Sequence, residues 1–228
     1  MGFARLRFGA VGAAVLTAWT ILLAPGIPWA FAAPCPDVEV VFARATTEAP
    51  GVGEVGQAFV DSLRGQAQGR SVGVYAVNYP ATDDFAPSAS AGAVDANAHV
   101  RSTAANCPNT RIVLGGYSQG ALVIDLITAI PVSVAGFVPA PLPADAAERV
   151  AAVVVFGNPM NRYVGTPLSA VSPQFGSKVI DLCNAGDPIC TPGDSSVPTR
   201  EEQFSPAHLD YVPSGLVNQG AAFAASRI

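Results

Sequence analysis

The stretch Arg111-Ile-Val-Leu-Gly-Gly-Tyr-Ser118-Gln-Gly-Ala-Leu-Val-Ile-Asp125 decides how this chain folds. Ile112, Val113 and Leu114 form a short apolar run of the kind that fills a parallel strand covered on both faces. Ala121, Leu122, Ile124, Leu126 and Ile127 read as a largely buried helix. Between them, Gly116-Tyr-Ser-Gln-Gly120 has the G-x-S-x-G pattern of a nucleophile elbow. Such a turn lifts a serine hydroxyl above the sheet edge, and small residues two places either side let strand and helix approach closely. The same letters also fit a glycine-rich turn with an ordinary serine, in a chain with 22 glycines. The choice depends on whether the rest of the chain supplies a base, an acid and oxyanion donors.

Outward from the elbow, strands and helices alternate. Strands are expected at 38–43, 71–77, in the elbow run, at 150–156 and at 178–182. Helices are expected from 54 to about 68, from 88 to about 106 with Ser88 or Ser90 as N-cap, after the elbow, and from 214 or 215 to about 226. Residues 131–143 form an apolar, proline-rich connection, read as a buried crossover, with an acyl-contacting flap carrying Phe137, Val138 and Leu142 as the alternative. Segments 44–53, 78–87, 157–177 and 191–207 read as loops. Alternation of this kind gives an α/β fold, a three-layer α/β/α sandwich around a five-stranded parallel sheet. Ligand chemistry then gathers outside the carboxyl ends of the strands, where Arg44, Tyr79, Ser118, Gly157 and Cys183 would crowd one edge.

The N-terminus reads as a separate segment. Arg5 and Arg7 form a basic start, an apolar run follows from about Phe8 to Leu23, and Ala30-Phe31-Ala32 offers an A-x-A cleavage site. By its parts this is a signal peptide over residues 1–32, followed by one domain over 33–228. The apolar run, about 16 residues, is short for the ~20 that a spanning helix needs. Without Arg5 and Arg7, the 12 basic residues fall to ten against 17 acidic, a net charge of −7. Such a chain is a poor partner for nucleic acid or anionic lipid. The expectation is a secreted monomer, free or wall-associated, with no stable membrane insertion.

Four cysteines in an exported chain imply two disulfides. Cys35 and Cys107 precede strands and fall at the amino edge of the sheet; Cys183 follows a strand at the opposite edge, with Cys190 close behind. Bridged cysteines need Cα atoms within about 7 Å, which selects Cys35–Cys107 and Cys183–Cys190. A zinc site is disfavoured, since no C-x-x-C pair exists and only two histidines are present.

A serine hydroxyl needs an adjacent base to act as a nucleophile. His99 sits in the helix before the elbow strand, on the way to the amino edge, and reads as a packed or surface residue. His208 follows the fifth strand and can fold back over the active edge. The order Ser…Asp…His leaves Asp181, Asp187 and Asp194 as candidate acids. Asp187 lies inside the Cys183–Cys190 loop, which would hold a carboxylate rigidly. The backbone N–H of Gln119 is one oxyanion donor, and Thr46 or Thr47 in the loop after the first strand supplies the second.

Gly115-Gly-Tyr-Ser-Gln-Gly-Ala121, the Asp181-Leu-Cys-Asn-Ala-Gly-Asp-Pro-Ile-Cys190 loop, Arg44-Ala-Thr-Thr-Glu48 with Gly51-Val-Gly53, and His208 together resemble the cutinase family, and more closely its secreted actinobacterial esterases. The resemblance spans the chain from about Cys35 to the C-terminus. It implies a lidless α/β-hydrolase that cleaves carboxylic esters, cutin in some members and fatty-acyl esters, glycerides or phospholipids in others. It implies Ser118 as nucleophile, Asp187 as acid, His208 as base, and Thr46 with Gln119 as oxyanion donors. No metal or cofactor is implied. The family usually has glycine where this chain has Ala45. If that position requires φ > 0, alanine costs about 1 kcal/mol or more there. The acidic stretch with Asp194, Glu201 and Glu202 argues against cutin itself. Two other functions fit the same residues: a catalytically silent exported binding protein, and an acyltransferase to a lipid or sugar alcohol.

Overall fold

The computed structural model describes residues 1–2, 34–172, 174–193 and 196–228. Apart from its first two residues, the expected signal peptide lies outside the described residues, as does the candidate Asp194. From residue 34 onward, β1 (Val38–Ala43), β2 (Val72–Ala76), β3 (Arg111–Tyr117), β4 (Val150–Phe156) and β5 (Val179–Leu182) form a five-stranded sheet in the order β2-β1-β3-β4-β5. Every pairing is parallel. The register sets Ala43 beside Gly116, Tyr117 beside Phe156 and Phe156 beside Leu182, so four strands end on one line at the carboxyl edge.

The central strands owe their position to composition. All seven residues of β4, Val-Ala-Ala-Val-Val-Val-Phe, are buried, as a strand covered on both faces requires. Side-chain alternation along β1 sends Val41 and Ala43 to one face and Val40 and Phe42 to the other. The first face packs against α2 (Phe85–Asn106) and α3 (Gln119–Thr128), with Ala93, Ala96 and Ile124 in the interface. The second packs against α1 (Gly53–Gln66), through Phe59 and Leu63, and against the C-terminal helix at Leu216–Ala225, through Val217 and Ala221. These are the three layers of the α/β-hydrolase type. No helix among the described residues is long and apolar enough to cross a membrane.

Several local expectations change. The second helix starts at Phe85, ahead of the expected Ser88, because Pro87 falls in its first turn, where a missing N–H costs nothing. Ser88 does not cap the helix; it is buried and donates a hydrogen bond to Gln119 Oε1 at 2.8 Å. Residues 131–143 are not a buried crossover throughout. Val132, Val134 and Val138 are 66%, 50% and 54% exposed. A two-residue turn at Ala135-Gly136, both at positive φ, closes a bridge between Val134 and Phe137. Only the later half packs down, with Ala140 and Leu142 donating to the carbonyls of Leu126 and Ile127. It leads into α4 (Ala144–Arg149). The expected loops after β4 and β5 contain α5 (Met160–Val164), α6 (Leu168–Val171), α7 (Arg200–Gln203) and α8 (Pro206–Leu209), and the C-terminal helix is α9. Helices of four or five residues are too short to establish a hydrophobic period.

Both disulfides pair as expected. Cys35 and Cys107 join with Cα atoms 5.6 Å apart, and Cys183 and Cys190 with Cα atoms 5.7 Å apart.

Candidate active site

Ser118 stands between β3 and α3 with φ 57° and ψ −119°. A non-glycine residue pays about 1–3 kcal/mol to hold such a conformation. The two flanking glycines of the motif make it possible. A Cβ on Gly116 would stand 2.3 Å from the Gly120 carbonyl oxygen, and one on Gly120 would stand 2.0 Å from that of Ala43. The elbow is further fixed by the Ser118 N–H, which donates to the Phe156 carbonyl at 2.9 Å.

The structure brings Ser118, His208 and Asp187 together from three separate parts of the chain. His208 Nε2 lies 2.9 Å from Ser118 Oγ, and His208 Nδ1 lies 2.8 Å from Asp187 Oδ2. His208 sits on α8 rather than in open loop, and its backbone carbonyl accepts a hydrogen bond from the Tyr117 hydroxyl. Its ring fits against Gly157, where a Cβ would lie 3.0 Å from His208 Cε1. Asp187 is completely buried. Its Oδ1 accepts the Ile189 N–H at 2.8 Å, and its Oδ2 accepts the Tyr211 hydroxyl at 2.6 Å. Burial first, and then the charge of Asp187, hold the phenols of Tyr211 and Tyr117 well above their ordinary range, so both remain donors.

Asp181 and His99, considered as alternatives, lie elsewhere in function and place. Asp181 accepts from Asn158, Asn161 and the Leu168 N–H, and so ties down the segment after β4. His99 stacks on Tyr75 with ring centroids 3.5 Å apart and lies 3.1 Å from Glu39 Oε2.

The loop after β1 is held from below. Arg44 is buried and donates to the carbonyls of Glu48 and Tyr79, each at 2.8 Å. Glu48 accepts the N–H groups of Ala45 at 2.6 Å and Glu54 at 2.9 Å. The left-handed residue of this loop is Thr47, with φ 63°, and its N–H donates to Ala81 at 2.7 Å. Ala45 is outside the positive-φ region, so alanine carries no conformational penalty there. Among the described residues the Thr46 N–H has no hydrogen-bond partner. Thr46 Oγ1 accepts from Gln119 Nε2 at 3.3 Å, which leaves its own proton free.

Gln119 does more than its backbone alone. Its side-chain nitrogen also donates to the Thr82 carbonyl at 2.8 Å, and its oxygen accepts from Ser88. Sequence reasoning missed this clamp, together with Tyr117 and Tyr211, and it placed Gly157 at the edge without its role as the seat of the His208 ring. The spacing of Tyr211, three residues beyond His208 at a helical end, was the one local signal for it.

Ser118, Thr46 and Gln119 open into a cavity of about 610 Å³. Its walls are mainly apolar, including Leu122, Ile130, Phe137, Met160 and Val164. The exposed turn at 134–137 therefore forms one wall of the site. A serine hydroxyl that borders an apolar cavity, bonded to an oriented imidazole and beside free N–H groups, is equipped for acyl transfer.

A family model described as Cutinase matches residues 34–228. The chain is 52% identical over 227 residues to Phospholipase Culp4 of Mycobacterium tuberculosis, covering 100% of this chain and 94% of that one. It is 49% identical to Carboxylesterase Culp1 of Mycobacterium bovis, covering 96% and 94%. Among solved structures, Trichoderma reesei cutinase in complex with a phosphonate inhibitor is 32% identical with a TM-score of 0.63, covering 85% of this chain and 77% of that one. The catalytic core domain of Trichoderma reesei acetyl xylan esterase is 27% identical with a TM-score of 0.67, covering 86% and 100%. With its sheet order, elbow and family match in agreement over the whole of residues 34–228, the chain belongs to the cutinase family.

Proposed function

We propose that this protein is an exported serine hydrolase of fatty-acyl esters that works through an acyl-enzyme. The observation that carries the reading is the hydrogen-bonded line from Ser118 Oγ through His208 to Asp187, at 2.9 and 2.8 Å, opening onto an apolar cavity. In the first half-reaction Ser118 Oγ attacks the ester carbonyl carbon while His208 Nε2 takes the hydroxyl proton. Asp187 stabilises the imidazolium. The negative oxygen of the tetrahedral intermediate accepts from the Gln119 N–H and from the N–H and hydroxyl of Thr46. Collapse breaks the bond to the alcohol oxygen, which leaves with the proton from His208. Water repeats the sequence on the acyl-enzyme and restores Ser118.

The cavity walls favour an alkyl acyl chain over a charged or sugar acid. The relatives named as a phospholipase and a carboxylesterase support acyl esters of lipids as the substrate class. Export rests on the composition of residues 1–32 and on the two disulfides, which persist in oxidising compartments.

A fluorophosphonate ester should label the mature protein at Ser118, and Ser118→Ala should abolish both labelling and acyl-ester hydrolysis while thermal unfolding is preserved. Turnover unchanged in Ser118→Ala would overturn the reading. Product analysis with a competing alcohol separates hydrolysis from acyl transfer.

A further inference from the structure

We infer that Tyr211 is a positioning residue that sets the proton affinity of the Asp187–His208 pair, through a phenol hydrogen bond to the same carboxylate oxygen that faces the imidazole. The inference rests on the reading of Ser118, His208 and Asp187 given above. Asp187 Oδ2 receives two donors, His208 Nδ1 at 2.8 Å and the Tyr211 hydroxyl at 2.6 Å. The phenol is itself fixed, because its oxygen accepts the Asn184 N–H at 3.0 Å. Tyr211 is completely buried, packed between Tyr117 and Phe156. Its hydroxyl proton is directed to Oδ2 at 2.6 Å, in preference to the weakly accepting Cys190 sulfur at 3.4 Å.

Two effects follow. With Ile189 N–H on Oδ1 and the phenol on Oδ2, the carboxylate is held at both oxygens and cannot rotate away from the imidazole. The phenol also holds part of the negative charge that would otherwise act on the imidazole alone. Loss of the hydroxyl leaves more of that charge for the imidazolium, which then persists to higher pH. Among the described residues, the phenols of Tyr211 and Tyr117 face this pair, Arg162 donates to the neighbouring Pro188 carbonyl at 2.6 Å, and Glu48 and Glu54 act on Tyr117 from farther off. Tyr117 bonds the His208 carbonyl and not the carboxylate, so it does not duplicate the effect.

The test is the pH profile of kcat/KM for a short acyl ester, measured on wild type, Tyr211→Phe, and protein carrying 3-fluorotyrosine at position 211. Tyr211→Phe should move the acid limb upward by about half a pH unit or more and lower the plateau by about tenfold. The fluorinated phenol is a stronger donor in nearly the same volume, and should move the limb downward. Fluorophosphonate labelling of Ser118 in wild type separates this test from the functional reading. Labelled wild type with an unmoved acid limb in both variants would overturn the inference, even if Tyr211→Phe melts lower. Limbs moving in opposite directions would establish it.

Discussion

Asp187 and Asp125 are both sealed from solvent, each with 0% exposure, yet they are met by different surroundings. Asp187 receives three donors, from Ile189, Tyr211 and His208, all at 2.6–2.8 Å. Asp125, on α3, receives one amide hydrogen from Asn158 at 3.3 Å, and its Oδ2 has no hydrogen-bond partner. The same Asn158 nitrogen is shared with Asp181, 3.1 Å away. Burial, and then the neighbouring charge of Asp181, push the Asp125 carboxyl well above its ordinary value of 3.8. Burial likewise raises Asp181. Depth sets the cost of a buried carboxylate; the number and direction of donors decide whether the charge is worth keeping. The chain places a donor-rich carboxylate against the His208 imidazole, and a donor-poor one where it joins α3 to the segment after β4.

Substitution by asparagine, nearly isosteric at both sites, breaks the comparison most directly. Asp187→Asn should cost about 10³–10⁴-fold in kcat, because the amide favours the wrong imidazole tautomer. A steady-state assay with a matched unfolding curve checks this; a loss under tenfold would remove Asp187 from the chemistry.

Gly157→Ala tests the seat of His208 rather than its charge partner. Gly157 has φ 55°, and an added Cβ meets the imidazole at 3.0 Å and the Tyr211 hydroxyl at 3.1 Å. About 1–2 kcal/mol of left-handed strain is expected, with turnover down about tenfold as the ring shifts from Ser118. Calorimetry alongside kinetics reads both; an unchanged melting temperature and rate would contradict the packing.

Asp125→Asn should leave turnover within about twofold, since donor-poor Asp125 touches neither Ser118 nor His208. Its effect lies in stability. A carboxyl raised in the folded state binds its proton there while the unfolded chain has released it. Stability is therefore full below the ordinary value of 3.8 and falls as pH rises towards the folded value. Asp125→Asn should flatten that fall, measured as unfolding free energy at several pH values between 4 and 8. An equally steep decline in the variant would mean that Asp125 is charged in the native state.

The candidate site is legible in the sequence where the proposed chemistry has a local signature. Ser118 is marked by glycines that the backbone approach demands, and Asp187 by the cysteines that bracket it. The order of strands then left His208 as the histidine on the right edge. What remained hidden acts across distance in sequence. Tyr211 and Tyr117 look like ordinary core aromatics until His208 and Asp187 are placed beside them. The exposed turn at 134–137 is apolar because it walls the cavity, and its apolarity imitated burial. A glycine is not needed at position 45, because the loop takes its left-handed step at Thr47, which only backbone angles reveal.

Gln119 limits what the elbow motif can be in this chain. The motif leaves the position after the serine open to any residue. Here that side chain spans to Thr46 after β1, to the Thr82 carbonyl, and to Ser88 on α2. A leucine would strand a buried serine hydroxyl and a carbonyl. A glutamate would supply no hydrogen for Thr82, and a shorter asparagine would lose reach. The letter that the pattern treats as free is thus among the least replaceable in the turn, and any redesign of the first loop or of α2 must move together with it.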